Sequence, residues 1–102
     1  MVAKGYWVAL VDVKNMDGYR NGYVAGLADV FRKFGGRYVT RGGTTETVEG
    51  QARSRVVVIE FPSYEQAMAC YKSPEYAKLI PHRQANAEAD LIVTEGYDGP
   101  QP

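Results

Sequence analysis

The sequence predicts an α+β fold with element order β-α-β-β-α-β. Three observations predict it. Two runs, Tyr6–Val13 and Arg55–Phe61, are rich in β-branched and aromatic residues, as half-buried strands are. Apolar residues recur at helical spacing after the first of these runs, and a helix-capping signature follows the second. Glycine and proline pairs punctuate the segments between them.

Gly5 to Val13 is the first strand. Asn15 is a helix N-cap, with Asp17 near the positive end of the helix. Tyr19, Tyr23, Leu27, Val30, Phe31 and Phe34 then form a helical stripe that Gly35-Gly36 ends. Arg37 to Arg41 is a short strand, Gly42-Gly43 a bend or bulge, and Thr44 to Glu49 is expected to resume extended structure. Gly50 to Ser54 is a polar turn before the Arg55–Phe61 strand. Ser63 to Gln66 fits a capping box and starts a helix that runs through Tyr71. Ser73-Pro74 pairs a second N-cap with proline at the first helical position, so the helix should break and restart there. Pro81 should disturb it again, and Asp90 to Gly96 is the last strand. Residues 1–97 are thus expected to form one domain and 98–102 a flexible tail. This order is the split βαβ, or ferredoxin-like, arrangement: a four-stranded antiparallel sheet with two helical segments on one face.

Side chains alternate across a strand, so each strand has two rows. Trp7, Ala9, Val11 and Val13 form one row, and Tyr6, Val8, Leu10 and Asp12 the other. Val57, Ile59 and Phe61 oppose Val56, Val58 and Glu60. Both rows are largely apolar, yet the helices can cover only one face. The row ending in Asp12 and Glu60 is assigned to the open face, together with Val39. An apolar patch of this kind marks an association surface, and face-to-face dimerisation would cover it.

Composition excludes several functions. Twelve basic and twelve acidic residues cancel, which gives no global attraction to nucleic acid or to acidic membranes. The longest apolar runs are too short to span a bilayer. No charged region followed by an apolar one precedes the first strand, so no secretory signal is expected, and a cytoplasmic protein is. The single cysteine, Cys70, sits among Ala67, Met68, Ala69 and Tyr71 and reads as a small buried packing residue. One histidine, His82, and one cysteine make no zinc pattern, and no metal site or cofactor is implied. His82 reads as a surface residue. No phosphate-binding loop, dinucleotide fingerprint or nucleophile elbow occurs.

The candidate ligand-binding residues are Arg41, Glu60, Tyr6 and Arg83. Arg41 ends a strand beside Gly42-Gly43 and shares a face with Val39 by alternation. Glu60 ends the neighbouring strand on the open face, and Tyr6 stands on the same face. A charged pair at the rim of an apolar sheet suits the orientation of a polar or acidic organic molecule, although it equally suits a structural ion pair. Arg83 adds a second positive group. Tyr19, Tyr23, Tyr64, Tyr71 and Tyr76 are expected to pack the helices with their hydroxyls reaching water. Gly18, Gly22 and Gly26 repeat along the first helix, marking either a close approach of another backbone or an exposed glycine edge.

Five blocks carry a family resemblance: Gly5-Tyr6-Trp7, GGRYVTRGG at 35–43, VVVIEFPSYE at 56–65, ACYKSPEY at 69–76 and DLIVTEGYDG at 90–99. In that order and spacing the chain resembles the domain of unknown function 1330 family, of the dimeric α+β barrel group. The resemblance implies a ferredoxin-like fold and a homodimer, and no reaction. Three functions are then open. One is a small-molecule-binding homodimer. Another is a cofactor-free enzyme, monooxygenase- or isomerase-like, using the same cavity. The third is a structural or protein-interaction module. The Asn/His/Trp arrangement of haem-degrading members of the barrel group is not assembled around Trp7.

Overall fold

The computed structural model describes residues 2–102. Strand β1 is Gly5–Val13, β2 Arg37–Arg41, β3 Arg55–Phe61 and β4 Ala87–Glu95. They form one sheet in the order β2-β3-β1-β4, with antiparallel pairing throughout. The first helical connection consists of α1 (Met16–Gly18), a π-helical segment (Tyr19–Val24) and α2 (Ala25–Phe34). The second consists of α3 (Tyr64–Tyr71), α4 (Pro74–Ala77) and α5 (Ile80–Asn86). This is the ferredoxin-like α+β arrangement. No helix among the described residues is long and apolar enough to cross a membrane.

The capping residues act as their positions in the sequence require. The Asn15 side chain accepts from the Gly18 amide and that of Ser63 from the Gln66 amide. Ser73 Oγ accepts from the Tyr76 amide and donates to the Cys70 carbonyl at 2.7 Å, tying the end of α3 to the start of α4. The break at Ser73-Pro74 is therefore built from hydrogen bonds that one continuous helix would not make. Pro81 opens α5, at its first turn, rather than interrupting it.

Three boundaries differ from the sequence expectation. The first helix is not uniform, because the π segment inserts a wider turn at Tyr19–Val24. Residues 44–49 form no strand: they are exposed and have no partner strand, and β-branched side chains alone do not hold an extended segment in a sheet. Strand β4 begins at Ala87 rather than Asp90, since pairing with β1 extends to Val13↔Ala87.

The core lies between the sheet and the helices. Trp7 is its centre, with its ring within 4.9–6.0 Å of Phe31, Phe61, Tyr71 and Tyr76. Its indole Nε1 donates to the Ala67 carbonyl in α3 at 2.8 Å. The glycine stripe faces α5: a Cβ on Gly22 would stand 3.0 Å from His82 Nδ1, and one on Gly26 2.6 Å from Leu79 Cδ2. The absent side chains thus permit close packing of the two helical connections, and His82 lies exposed over Gly22.

Cys70 is fully buried, and burial pushes its thiol up to about 12. The unfolded chain ionises this group nearer 9.0, so native stability should fall as pH rises from there toward about 12. Native protein at neutral pH should resist iodoacetamide, whereas the urea-unfolded chain should be alkylated; mass spectrometry reads both states. Rapid alkylation of the native protein would contradict the burial.

Candidate functional site

The two faces of the sheet separate the four residues singled out from the sequence. On the open face, Tyr6 Oη donates to Glu60 Oε2 at 3.0 Å, and Arg37 Nε lies 3.4 Å from Glu60 Oε1. That hydrogen bond to the carboxylate holds the Tyr6 phenol above its usual range. Tyr6 and Glu60 are thus brought together, but the cation beside them is Arg37 and not Arg41.

Arg41 lies on the other face. Strand β2 carries a bulge at Val39: Tyr38 pairs with Ile59, yet Thr40 pairs with Val58 and Arg41 with Val57. An extra residue reverses the alternation, so Arg41 joins the helix-side row of Val57. Its guanidinium stacks over the Tyr38 ring, 4.6 Å from the centroid. The expected Arg41–Glu60 pair on one open face is therefore not formed. Arg83, on α5, is also helix-side and reaches Tyr76 Oη at 2.9 Å.

The helix side holds adjoining cavities that share lining residues. An inner cavity of about 30 Å³ lies between the sheet and the π segment, walled by Trp7, Tyr19, Tyr23, Leu27, Ile59 and Arg83, among others. An open groove of about 560 Å³ lies outside it, lined by Tyr19, Arg20, Val24, Arg41 and Arg55. Tyr19 lines both, and a smaller recess bounded by Tyr19, Arg41 and Arg55 shares residues with each. The π segment carries both Tyr19 and Tyr23 to the sheet side, with their rings 5.3 Å apart. Wide turns of this kind are frequent at functional sites.

The charges around this space are of one sign. Of the seven arginines, Arg32, Arg37 and Arg53 pair with carboxylates. The other four, Arg20, Arg41, Arg55 and Arg83, have no carboxylate partner among the described residues, and all four line the helix-side cavities. No acidic residue lines any of these spaces. Arg55 pairs in register with Val11, which places it on the helix side, and its Nε is buried without a hydrogen-bond partner. Gly42 leaves room for that guanidinium: it holds a left-handed φ of 66°, and a Cβ there would overlap Arg55 Nη1.

Deeper in, the Tyr23 and Tyr76 hydroxyls lie 2.6 Å apart, and Arg83 stands 5.9 Å from the Tyr23 ring centroid. Burial pushes the phenols of Tyr19, Tyr23 and Tyr76 above their usual range. The Tyr23 and Tyr76 hydroxyls are thus bonded to each other and do not reach water as the sequence suggested. Arg20, Arg55, Tyr19 and Tyr23, which line these cavities, and Tyr76, which is bonded to Tyr23 behind them, are candidates that sequence reasoning passes over. No group of three or more His, Cys, Asp or Glu side chains among the described residues could hold a metal ion. The chemistry available is hydrogen bonding by phenols and guanidiniums beside an aromatic wall, which suits an organic anion.

Solved structures share this fold. A protein of unknown function from Rhodopseudomonas palustris superposes with a TM-score of 0.75 at 20% identity, over 97% of this chain and 86% of that one. A conserved protein of unknown function from Bacteroides thetaiotaomicron, described as a possible oxidoreductase, gives a TM-score of 0.55 at 20% identity, over 93% and 99%. SnoaB, a cofactor-independent oxygenase from Streptomyces nogalater, gives 0.51 at 11% identity, over 99% and 97%. At these identities the likeness is one of fold. Among curated proteins, none matches the sequence. The family model of the domain of unknown function DUF1330 matches residues 4–97, and the chain belongs to that family.

Proposed function

We propose that the protein binds a small organic acid between its helices and its sheet, with the acid group at the mouth formed by Arg41 and Arg55. One observation carries the reading: every arginine without a carboxylate partner among the described residues lines this one set of cavities. A desolvated guanidinium is costly unless an anion meets it, and Arg55 Nε already lacks a partner. Arginine donates in a planar fork that matches a carboxylate. The Tyr19, Val24, Ala25 and Ala28 wall of the open groove would hold the body of the ligand.

The test is a thermal-shift screen of small carboxylates on the wild type, Arg41→Met and Arg55→Met. A ligand at 100 times its Kd stabilises by about 2.7 kcal/mol. For a chain of this size that is a rise of roughly 10 °C or more. Either variant should lose most of the rise. Unliganded Arg55→Met should be as stable as the wild type or more so, because it removes a half-buried cation whose Nε has no hydrogen-bond partner. If carboxylates stabilise all three proteins equally, the site is not at these arginines.

A second copy of the chain completes this reading by covering the open face. The rows there run Tyr6–Glu60–Thr94, Val8–Val58–Ile92 and Leu10–Val56–Asp90. At one end Glu60 pairs with Arg37, and at the other Arg53 pairs with Asp12, Glu88 and Asp90. What lies between is mainly aliphatic, with Val39 and Ile92 each 54% exposed. An uncharged apolar strip can face its own copy across a two-fold axis without repulsion.

A further inference from the structure

The hydroxyls behind the inner cavity have a direction. A guanidinium only donates, so Arg83 Nη1 gives a proton to Tyr76 Oη at 2.9 Å. The Tyr23–Tyr76 contact of 2.6 Å could run either way on distance alone. If Tyr23 donated, Tyr76 Oη would accept twice and its own proton would have no acceptor. Tyr76 is fully buried and does not line the inner cavity, so that proton would be a buried orphan donor, which is the costly arrangement. If Tyr76 donates instead, Tyr76 Oη both accepts and donates. The one proton left over is then on Tyr23, and Tyr23 lines the inner cavity while Tyr76 does not.

We infer that the order Arg83, Tyr76, Tyr23 forms a one-way hydrogen-bond relay that presents a donor to the inner cavity, and that this donor takes an acceptor oxygen of the bound acid, such as a keto or phenolate oxygen. The inference rests on reading the cavity as an acid-binding site, and it adds a second polar group to the ligand. The cavity volume of about 30 Å³ admits one water-sized group, which fits an oxygen and not a ring. The cation at the head of the relay polarises both phenols in turn, so the terminal donor favours an oxygen that carries negative charge. The buried Tyr23 phenol keeps its proton at neutral pH, since burial raises it far above its usual range. Tyr19 stands between this cavity and the arginine-lined groove, so its ring must turn aside for one ligand to reach both.

The probes are levulinate, which is a keto acid, and its methylene isostere, in which a terminal alkene carbon replaces the keto oxygen, together with homologues one carbon shorter and longer. Titration calorimetry gives each Kd, and the carbonyl of carbon-13-labelled levulinate reports the hydrogen bond directly. Wild type should prefer the keto acid by roughly tenfold or more, or at least ~1.4 kcal/mol, and the bound carbonyl resonance should move downfield. Tyr23→Phe should bind both compounds with no preference and show no carbonyl shift. Arg55→Met should weaken both and keep the preference. The double variant Tyr23→Phe/Tyr76→Phe removes both hydroxyls together and leaves neither phenol as an orphan, so it serves where the single variant does not fold. Equal binding of the pair by wild type, or a preference that survives loss of the Tyr23 hydroxyl, would overturn the relay. Failure of every compound to bind wild type would instead overturn the acid-binding reading, and the relay's ligand with it.

Discussion

Trp7→Ala should cost about 3–5 kcal/mol, which is most of the stability of a chain at the low end of the ordinary range of ~5–15 kcal/mol. Trp7 is 1% exposed and contacts aromatic rings from α2, β3, α3 and α4. Truncation would open a void between sheet and helices that those rings cannot close without leaving their rotamers. It would also delete the only hydrogen bond from the Trp7 indole to the Ala67 carbonyl in α3. Trp7→Phe separates the two effects: it keeps much of the ring volume and loses the N–H, and should cost less than the alanine variant. Urea unfolding followed by circular dichroism gives both values, because each variant lacks the single tryptophan whose fluorescence would otherwise serve. An unchanged midpoint for Trp7→Ala would mean that the core is not organised around this side chain.

The fold was legible because it rests on local chemistry with strong periodicity. The alternation of Trp7, Ala9, Val11 and Val13 against Tyr6, Val8, Leu10 and Asp12 assigns both faces of β1 correctly. Asn15, Ser63 and Ser73 are caps whose hydrogen bonds follow from residue type and position. The π segment was not legible, because Tyr19 and Tyr23 are also neighbours on an ordinary helix. The site was legible only in part. Alternation carried back from Val57 puts Arg55 on the helix face, so this arginine could have been found from sequence. Arg41 could not, because the bulge at Val39 leaves no mark in residue types and one extra residue sends every later side chain to the other face. The glycines beside Arg41 did carry a signal, but its meaning, room for the Arg55 guanidinium, needs the third dimension. The helix tyrosines were assigned to packing, which they do perform. That their hydroxyls meet each other inside the protein depends on where α4 docks against the π segment.

Val58→Asp should convert the protein from dimer to monomer while leaving the fold of the single chain intact. Val58 lies mid-strand on the open face, with Val8 beside it on β1 and Thr40 on β2. In an isolated chain this face is bathed by water, so an aspartate there keeps its hydration and costs little. Against a second copy, the same carboxylate would be taken out of water, and near a two-fold axis it would approach its own counterpart. No arginine or lysine stands on the neighbouring positions Val8, Leu10, Val56, Thr40 and Ile92 to pair with it. Desolvating an unpaired charge costs several kcal/mol per ion, and roughly 1.4 kcal/mol already changes an association constant tenfold. Sedimentation at micromolar concentration should therefore give twice the 11.3 kDa chain mass for wild type and the single mass for Val58→Asp. Circular dichroism and the wild-type response to carboxylates should survive in the variant, since the cavities lie on the opposite face of the sheet. A monodisperse wild-type monomer would remove the case for a second copy. A variant that stayed dimeric would show that the copies meet elsewhere than on this strip.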